Sequence, residues 1–154
     1  MPLITALLHT HNDALRLGRC LETLYPCDEV VVIDYGSEDG TPHIARAYGA
    51  KVIAATSLAT PCSIGRGWLL CLDPLESLTE ALAASLYEWK SESLSADSSF
   101  SVLVREETAA GWIDQPQPQT RLVPACWQRW QGCLPVNDPS SLTLEGRLLR
   151  FASP

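Results

Sequence analysis

The apolar residues along the first third of the chain change period four times. Leu3–Leu8 is a nearly continuous apolar run of strand length. From about Asp13 to Leu24, Leu17, Cys20, Leu21 and Leu24 fall on one helical face, and Pro26 closes that segment. Glu29–Ile33 contains the β-branched run Val30-Val31-Val32-Ile33, the composition of a strand buried on both faces. After a polar turn, Thr41 is placed to cap a helix with Pro42 at its first position and Gly49 as its stop, ending near Tyr48. Lys51–Ala54 reads as a third strand. The order β-α-β-α-β predicts a parallel sheet with right-handed crossovers.

The rest of the chain is less regular. Ala55–Arg66 reads as a loop, Gly67–Leu72 as another buried strand ending at Asp73-Pro74, and Ser77–Trp89 as a helix with Leu78, Leu82, Leu86 and Trp89 on one face. Lys90–Ser99 is rich in serine and reads as a loop. Phe100–Arg105 alternates as a strand does, Gln115–Pro118 is irregular because two prolines remove ladder donors, and Gln119–Val123 and Leu142–Phe151 are weaker strands. No repeat and no linker divides the chain, so residues 1–154 are expected to form a single α/β domain, Rossmann-like, with a mostly parallel sheet and helices on both faces.

Composition narrows the possible partners. A net charge of −7 with no cluster of Lys and Arg argues against nucleic acid and anionic membrane as partners. The short apolar start, followed at once by His9, His11 and Asn12, reads as a strand rather than a secretion leader. No stretch approaches the ~20 apolar residues of a membrane span. These features predict a cytoplasmic protein whose six cysteines are reduced, with Cys20 and Cys71 as core residues. No pair has the C-x-x-C spacing of a zinc site.

In open α/β sheets, ligands bind beyond the carboxyl ends of the strands. Those ends carry Thr10-His11-Asn12-Asp13, Asp34-Tyr35-Gly36-Ser37 and Asp73-Pro74-Leu75-Glu76. Parallel strands would bring them to one rim, with acceptors for a base and ribose and acidic groups for a divalent cation.

These segments resemble the family 2 glycosyltransferases. Ile4–Asn12 is similar to that family's opening strand and Pro-Thr-x-Asn turn, and Val32–Thr41 to its Val-Asp-Asp-Gly-Ser-x-Asp-Gly-Thr motif. Trp68–Glu76 resembles the strand that ends in Asp-x-Asp-Glu. Gly111-Trp112-Ile113 and Gln119–Leu122 match a looser pattern, commonest in the bacterial branch that glycosylates the lipopolysaccharide core. The resemblance implies a GT-A fold that moves a sugar from a nucleoside diphosphate donor to an acceptor hydroxyl. Residues 1–76 would be the nucleotide-binding half and residues 77–154 the acceptor-side half.

Carried over by position, Thr10 and Asn12 would lie near the nucleoside, Asp34 and Tyr35 would border base and ribose, and Asp73 would hold Mg²⁺ or Mn²⁺ against the diphosphate. Arg66 would offer one positive charge in place of the family's Arg-Asn helix. Asp138 would stand in for the family's His-Glu base. Two positions depart from the family's motifs. Tyr35 stands where the motif has its second Asp, and a phenol accepts a base N–H less well than a carboxylate, although it can stack. Leu75 stands where the metal motif has its second Asp and supplies no oxygen ligand. These departures set a non-catalytic nucleotide-sugar-binding or partner-binding module beside the transferase reading, and leave room for a homo-oligomer or a partner chain. An unrelated Rossmann-like regulator is disfavoured by the lack of a Gly-x-Gly-x-x-Gly turn.

Structural roles compete at several of these positions. Asp34 could cap the next turn, while Ser37, Asp39 and Thr41 suit side-chain-to-backbone bonding, with Gly36 and Gly40 at positive φ. His9 and His11 lack a third ligand nearby in sequence. Trp112, Trp127 and Trp130 fit either a sugar platform or the core. Arg121 fits either a phosphate or a carboxylate.

Overall fold

A computed structural model describes residues 2–55, 67–92 and 98–154. The parallel start of the sheet follows from the apolar runs: β1 (Ile4–Thr10), β2 (Glu29–Asp34), β3 (Lys51–Ala54) and β4 (Trp68–Leu72) are mutually parallel in the order β3-β2-β1-β4. Between them lie α1 (Ala14–Leu21) and α2 (Thr41–Ala47).

The second half departs from the expected parallel sheet. It contains β5 (Glu76–Leu78), α3 (Glu80–Ser91), β6 (Phe100–Thr108), β7 (Gly111–Asp114), β8 (Gln119–Pro124), a two-stranded ribbon of β9 (Trp130–Gln131) and β10 (Leu134–Pro135), and β11 (Leu142–Arg150). The sheet continues β4-β8-β6-β11-β5, with β7 on β6. The β4/β8, β8/β6, β6/β7 and β11/β5 pairings are antiparallel, so the sheet is mixed rather than mostly parallel.

The helices also differ from expectation. Those described place their buried side chains, such as Leu17, Cys20, Ala45, Leu82, Leu86 and Trp89, in one core with Ile4, Ala6, Leu8, Val32 and Leu70. The alternate strand residues Leu7, Val31, Ile33, Leu69, Cys71 and Val123 face the other way, against Trp127, Trp130 and Leu134. Helices on both faces are therefore not found among the described residues. At the far end of the helix-side core, Trp68, Trp89 and Phe100 meet with ring centroids 5.0–5.8 Å apart, a geometry contributing about 0.5–1.5 kcal/mol per pair beyond burial.

Local boundaries move for identifiable reasons. The expected helix from Ser77 starts at Glu80, because Glu76–Leu78 pairs with β11 and the Thr79 hydroxyl caps α3 by accepting from Leu82 N–H at 3.2 Å. Thr41 lies inside α2 rather than capping it: Gly40 is the cap residue, at φ −75° rather than a positive angle. The first helix is shorter than expected, although Leu24 stays buried beyond its end. Gly146 is required by close approach, since its φ is +97° and a Cβ there would overlap the backbone of Ala81 and Leu82.

Candidate functional site

The register of the parallel strands sets the rim. Thr10 pairs with Asp34 across β1/β2, and Leu8 pairs with Leu72 across β1/β4, so Thr10, Asp34 and Asp73 emerge at the same sheet edge. Strand alternation then separates their side chains. Thr10 and Asp34 lie on the face of Leu8 and Val32, toward the helices, at 2% and 7% exposure.

There Asp34 holds the turn. Its Oδ1 accepts from Thr10 Oγ1 at 2.7 Å and from Ser37 Oγ, and its Oδ2 accepts from Ser37 N–H at 3.0 Å. Burial pushes the Asp34 carboxyl up, but the hydrogen bonds from Ser37 and Thr10 outweigh it and hold the group below the ordinary carboxylate range. The geometry thus gives Asp34 and Thr10 a structural task and turns both side chains away from the open face.

Asn12 joins the same construction. It adopts φ 54°, its N–H donates to Ser37 Oγ at 2.9 Å, and its Oδ1 accepts from Glu38 N–H at 2.8 Å. Asp13 N–H donates to Thr41 Oγ1, Ala14 N–H to Asp39, and Tyr35 N–H to Thr10 O, so the loops after β1 and β2 are laced together over their whole length. Ser37, Asp39 and Thr41 take the structural roles their residue types suit.

The open face carries a different set. Tyr35, 39% exposed, stacks on His9 with centroids 5.7 Å apart, and its hydroxyl lies 2.8 Å from His9 Nδ1. Burial lowers the His9 pKa, which favours neutral imidazole at pH 7. His9 Nε2 is buried and has no hydrogen-bond partner among the described residues. Tyr35 and Asp73 follow Asp34 and Leu72, the last residues of β2 and β4, at the same edge of the sheet. The resemblance points to position 35, but the pairing with His9 depends on strand register and is not visible in the motif.

At the end of β4, Asp73 Oδ1 accepts from Leu75 N–H at 2.9 Å, and Asp73 N–H donates to Glu76 Oε1 at 2.8 Å. Glu76 is fully buried and forms a two-pronged pair with Arg121, Nη1 to Oε1 at 2.6 Å and Nη2 to Oε2 at 2.8 Å. A bulge sets this up: Phe100 pairs with Leu122 and Ser101 with Thr120, so Arg121 is the extra residue and turns toward β5. Of its two sequence readings, phosphate or carboxylate, Arg121 takes the carboxylate. Arg150, unassigned by sequence, lies beside the cluster with Nη1 3.8 Å from Asp73 Oδ1 and 3.5 Å from Glu76 Oε2.

A divalent cation fits these residues poorly. Asp73 presents a carboxylate, but the side chain at position 75 is apolar, Glu76 is locked to Arg121, and a guanidinium already lies beside Asp73. Among the described residues, no group of three or more Asp, Glu, His and Cys side chains is arranged to hold a metal.

Asp138 stands in an environment unlike that of a general base. Its Oδ1 accepts from Ser140 N–H and Oγ at 2.9 and 2.7 Å, and its Oδ2 accepts from Ser99 Oγ at 2.9 Å and Arg129 Nη2 at 3.1 Å. The Ser140 hydroxyl and N–H dominate in pulling its pKa down to about 2. A carboxylate so saturated takes up a proton reluctantly. Arg66 lies outside the described residues. The tryptophans do not form one platform: Trp112 lies on β7 edge-on to Phe151, while Trp127 and Trp130 cover the core opposite the helices. Of the described helices, none is long and apolar enough to cross a membrane.

No protein-family model matches the chain. A TPR repeat-containing protein of Synechococcus elongatus is 31% identical over 132 residues, covering 79% of this chain and 31% of that protein. The lipopolysaccharide core biosynthesis glycosyltransferase LpsC of Rhizobium meliloti is 38% identical over 45 residues, 29% of this chain and 17% of that protein. An uncharacterized glycosyltransferase of Rickettsia typhi is 33% identical over 91 residues, 53% of this chain and 31% of that protein. The chain thus spans less than a third of the length of these relatives.

Among solved structures, glucosyl-3-phosphoglycerate synthase of Mycobacterium tuberculosis, in complex with Mn²⁺ and UDP-glucose, matches at TM-score 0.53 and 18% identity, over 68% of this chain and 44% of that one. TarS of S. aureus matches at TM-score 0.52 and 20% identity, over 75% of this chain and 38% of that one. The chain is thus similar in sequence to glycosyltransferases over part of its length and shares the GT-A fold of these solved structures.

Proposed function

We propose that the chain binds a nucleoside diphosphate sugar on its open sheet face and serves transfer of the sugar to an acceptor hydroxyl. The observation that carries this reading is the delivery of the Tyr35–His9 pair and Asp73 to one rim by three adjacent parallel strands. Tyr35 offers a stacking surface for a base in place of the carboxylate the family motif has there. Asp34, Thr10 and Asn12 act by fixing the loop backbone, and Asp73 lies toward the diphosphate.

The second reading, a module that binds the donor without turning it over, is favoured by the saturated carboxylate of Asp138. A radiolabelled UDP-glucose hydrolysis and transfer assay, run beside calorimetric titration with UDP, tests both. Binding with turnover supports the transferase, and binding without turnover supports the module. If no nucleoside diphosphate binds, the proposal fails. Tyr35→Ala is expected to weaken UDP binding about tenfold, since one base–aromatic stack contributes ~1–3 kcal/mol.

A further inference from the structure

We infer that Arg150 fills the place of the divalent cation at this rim, so that the acidic end of the motif is neutralised from within and a nucleotide needs no metal to bind there. The nucleotide half of this inference rests on the reading above; the cation half does not.

The carboxylates that would face a metal are accounted for one by one. Position 75 offers no side-chain oxygen, and its N–H is given to Asp73 Oδ1. Both oxygens of Glu76 are taken by Arg121, with no exposed surface left. Asp73 remains, 40% exposed, and the Arg150 guanidinium lies 3.8 Å from it. Glu106 approaches the same guanidinium from the other side, at 4.0 Å from Nε.

The position of Arg150 is set by the sheet rather than by a loop. It pairs with Glu76 across β11/β5 and with Glu106 across β11/β6, so these two pairings align three charges in one row across three adjacent strands. An ion brought to Asp73 would meet a positive charge already in place, and like charges this close repel.

Arg150 also keeps capacity for an anion. Its contacts, at 3.5–4.0 Å, are longer than charge-assisted hydrogen bonds, which run about 2.7–2.9 Å, and its side chain is 32% exposed. The planar guanidinium can therefore turn N–H groups toward phosphate oxygens while remaining beside Asp73. Arg121 cannot do this, because it is buried and its donors are committed to Glu76, Gln119 and the Cys71 carbonyl.

The first test uses Mn²⁺ alone, followed by electron paramagnetic resonance on the full chain. The native protein is expected to show no saturable site below on the order of 1 mM. Leu75→Asp/Arg150→Ser, which returns an oxygen ligand beside Asp73 and removes the charge, is expected to gain such a site, whereas Leu75→Asp alone, with Arg150 in place, is not. Leu75→Asp/Arg150→Lys, which keeps the charge, is expected to behave as Leu75→Asp and guards against a folding artefact. Saturable Mn²⁺ binding by the native chain that Asp73→Asn abolishes would overturn the inference, as would the absence of any gain in folded Leu75→Asp/Arg150→Ser.

The second test is UDP titration by calorimetry, in EDTA and in Mn²⁺. The two affinities are expected to agree within about twofold, and Arg150→Gln to weaken binding in EDTA about tenfold, the change that one lost charged contact to phosphate brings. A tenfold gain with Mn²⁺, or an Arg150→Gln variant that binds as the native chain does, would overturn the nucleotide half. If UDP binds under neither condition, the nucleotide reading itself fails, and the Mn²⁺ titrations still decide the cation half.

Discussion

At the ends of β1 and β2 the rim is gripped by hydroxyls and backbone amides around one buried carboxylate, Asp34, whereas at the end of β4 two arginines and three carboxylates share the work. Among the described residues, no ion pair reaches the central carboxylate of the first region, and each hydrogen bond there is modest. The second concentrates desolvated charge, where losing one partner leaves another stranded. The first can therefore yield piecemeal, while the second fails as a unit when its buried pair is broken.

The largest effect should come from breaking the buried pair. Arg121→Ala is expected to lower unfolding free energy by about 3–5 kcal/mol in urea denaturation, because Glu76 is left charged and dry. Arg121→Met/Glu76→Leu should restore most of that loss. If the double variant were as unstable as the single one, packing rather than stranded charge would be responsible.

Asp34→Ala should cost less, about 1–3 kcal/mol, since it orphans the Thr10 hydroxyl and the Ser37 N–H without stranding a charge. A loss as large as that of Arg121→Ala would erase the contrast between the regions. Arg150→Ala should cost under about 1 kcal/mol, because the side chain is a third exposed and its contacts are long.

Asp138 gives the smallest and most pH-dependent effect. Its folded pKa of about 2 lies below the ordinary 3.8, so the stability it contributes is present above pH 3.8 and is lost as pH falls through 2. Asp138→Asn should flatten the stability profile across that window and leave its shape near neutrality unchanged. A profile as steep as that of the native chain would show that the carboxylate is not held as described.

The parallel half was readable because its cues are local. Val30–Ile33 is a run that suits a strand buried on both faces, and Asp34–Thr41 is a turn whose polar residues bond within a few positions of themselves. Lys51–Ala54 is a strand with the bounds expected. The antiparallel half depends on long-range pairing. No local pattern announces that Glu76–Leu78 joins β11, or that a bulge makes Arg121 reach β5. Thr79 followed by Glu80 was an available cap signal for the true start of α3.

The candidate site divides in the same way. The motifs located the rim and Tyr35. They could not show that Asp34 turns inward, that Arg150 lies beside Asp73, or that Ser99, from a distant part of the chain, joins Arg129 on Asp138. Ser140, two residues beyond Asp138, did carry a local hint of a carboxylate committed to its own turn.

The two faces of the sheet also divide the indole chromophores. Trp68 and Trp89 lie in the helix-side core at 8% and 2% exposure, while Trp127 and Trp130 lie on the opposite face and Trp112 stands at the sheet edge. Emission from the first two should be blue and shielded, and a dissolved quencher should reach the other three first. A molecule settling on the face that Trp127 and Trp130 cover would thus dim or shift one part of the spectrum and leave the shielded part as an internal reference.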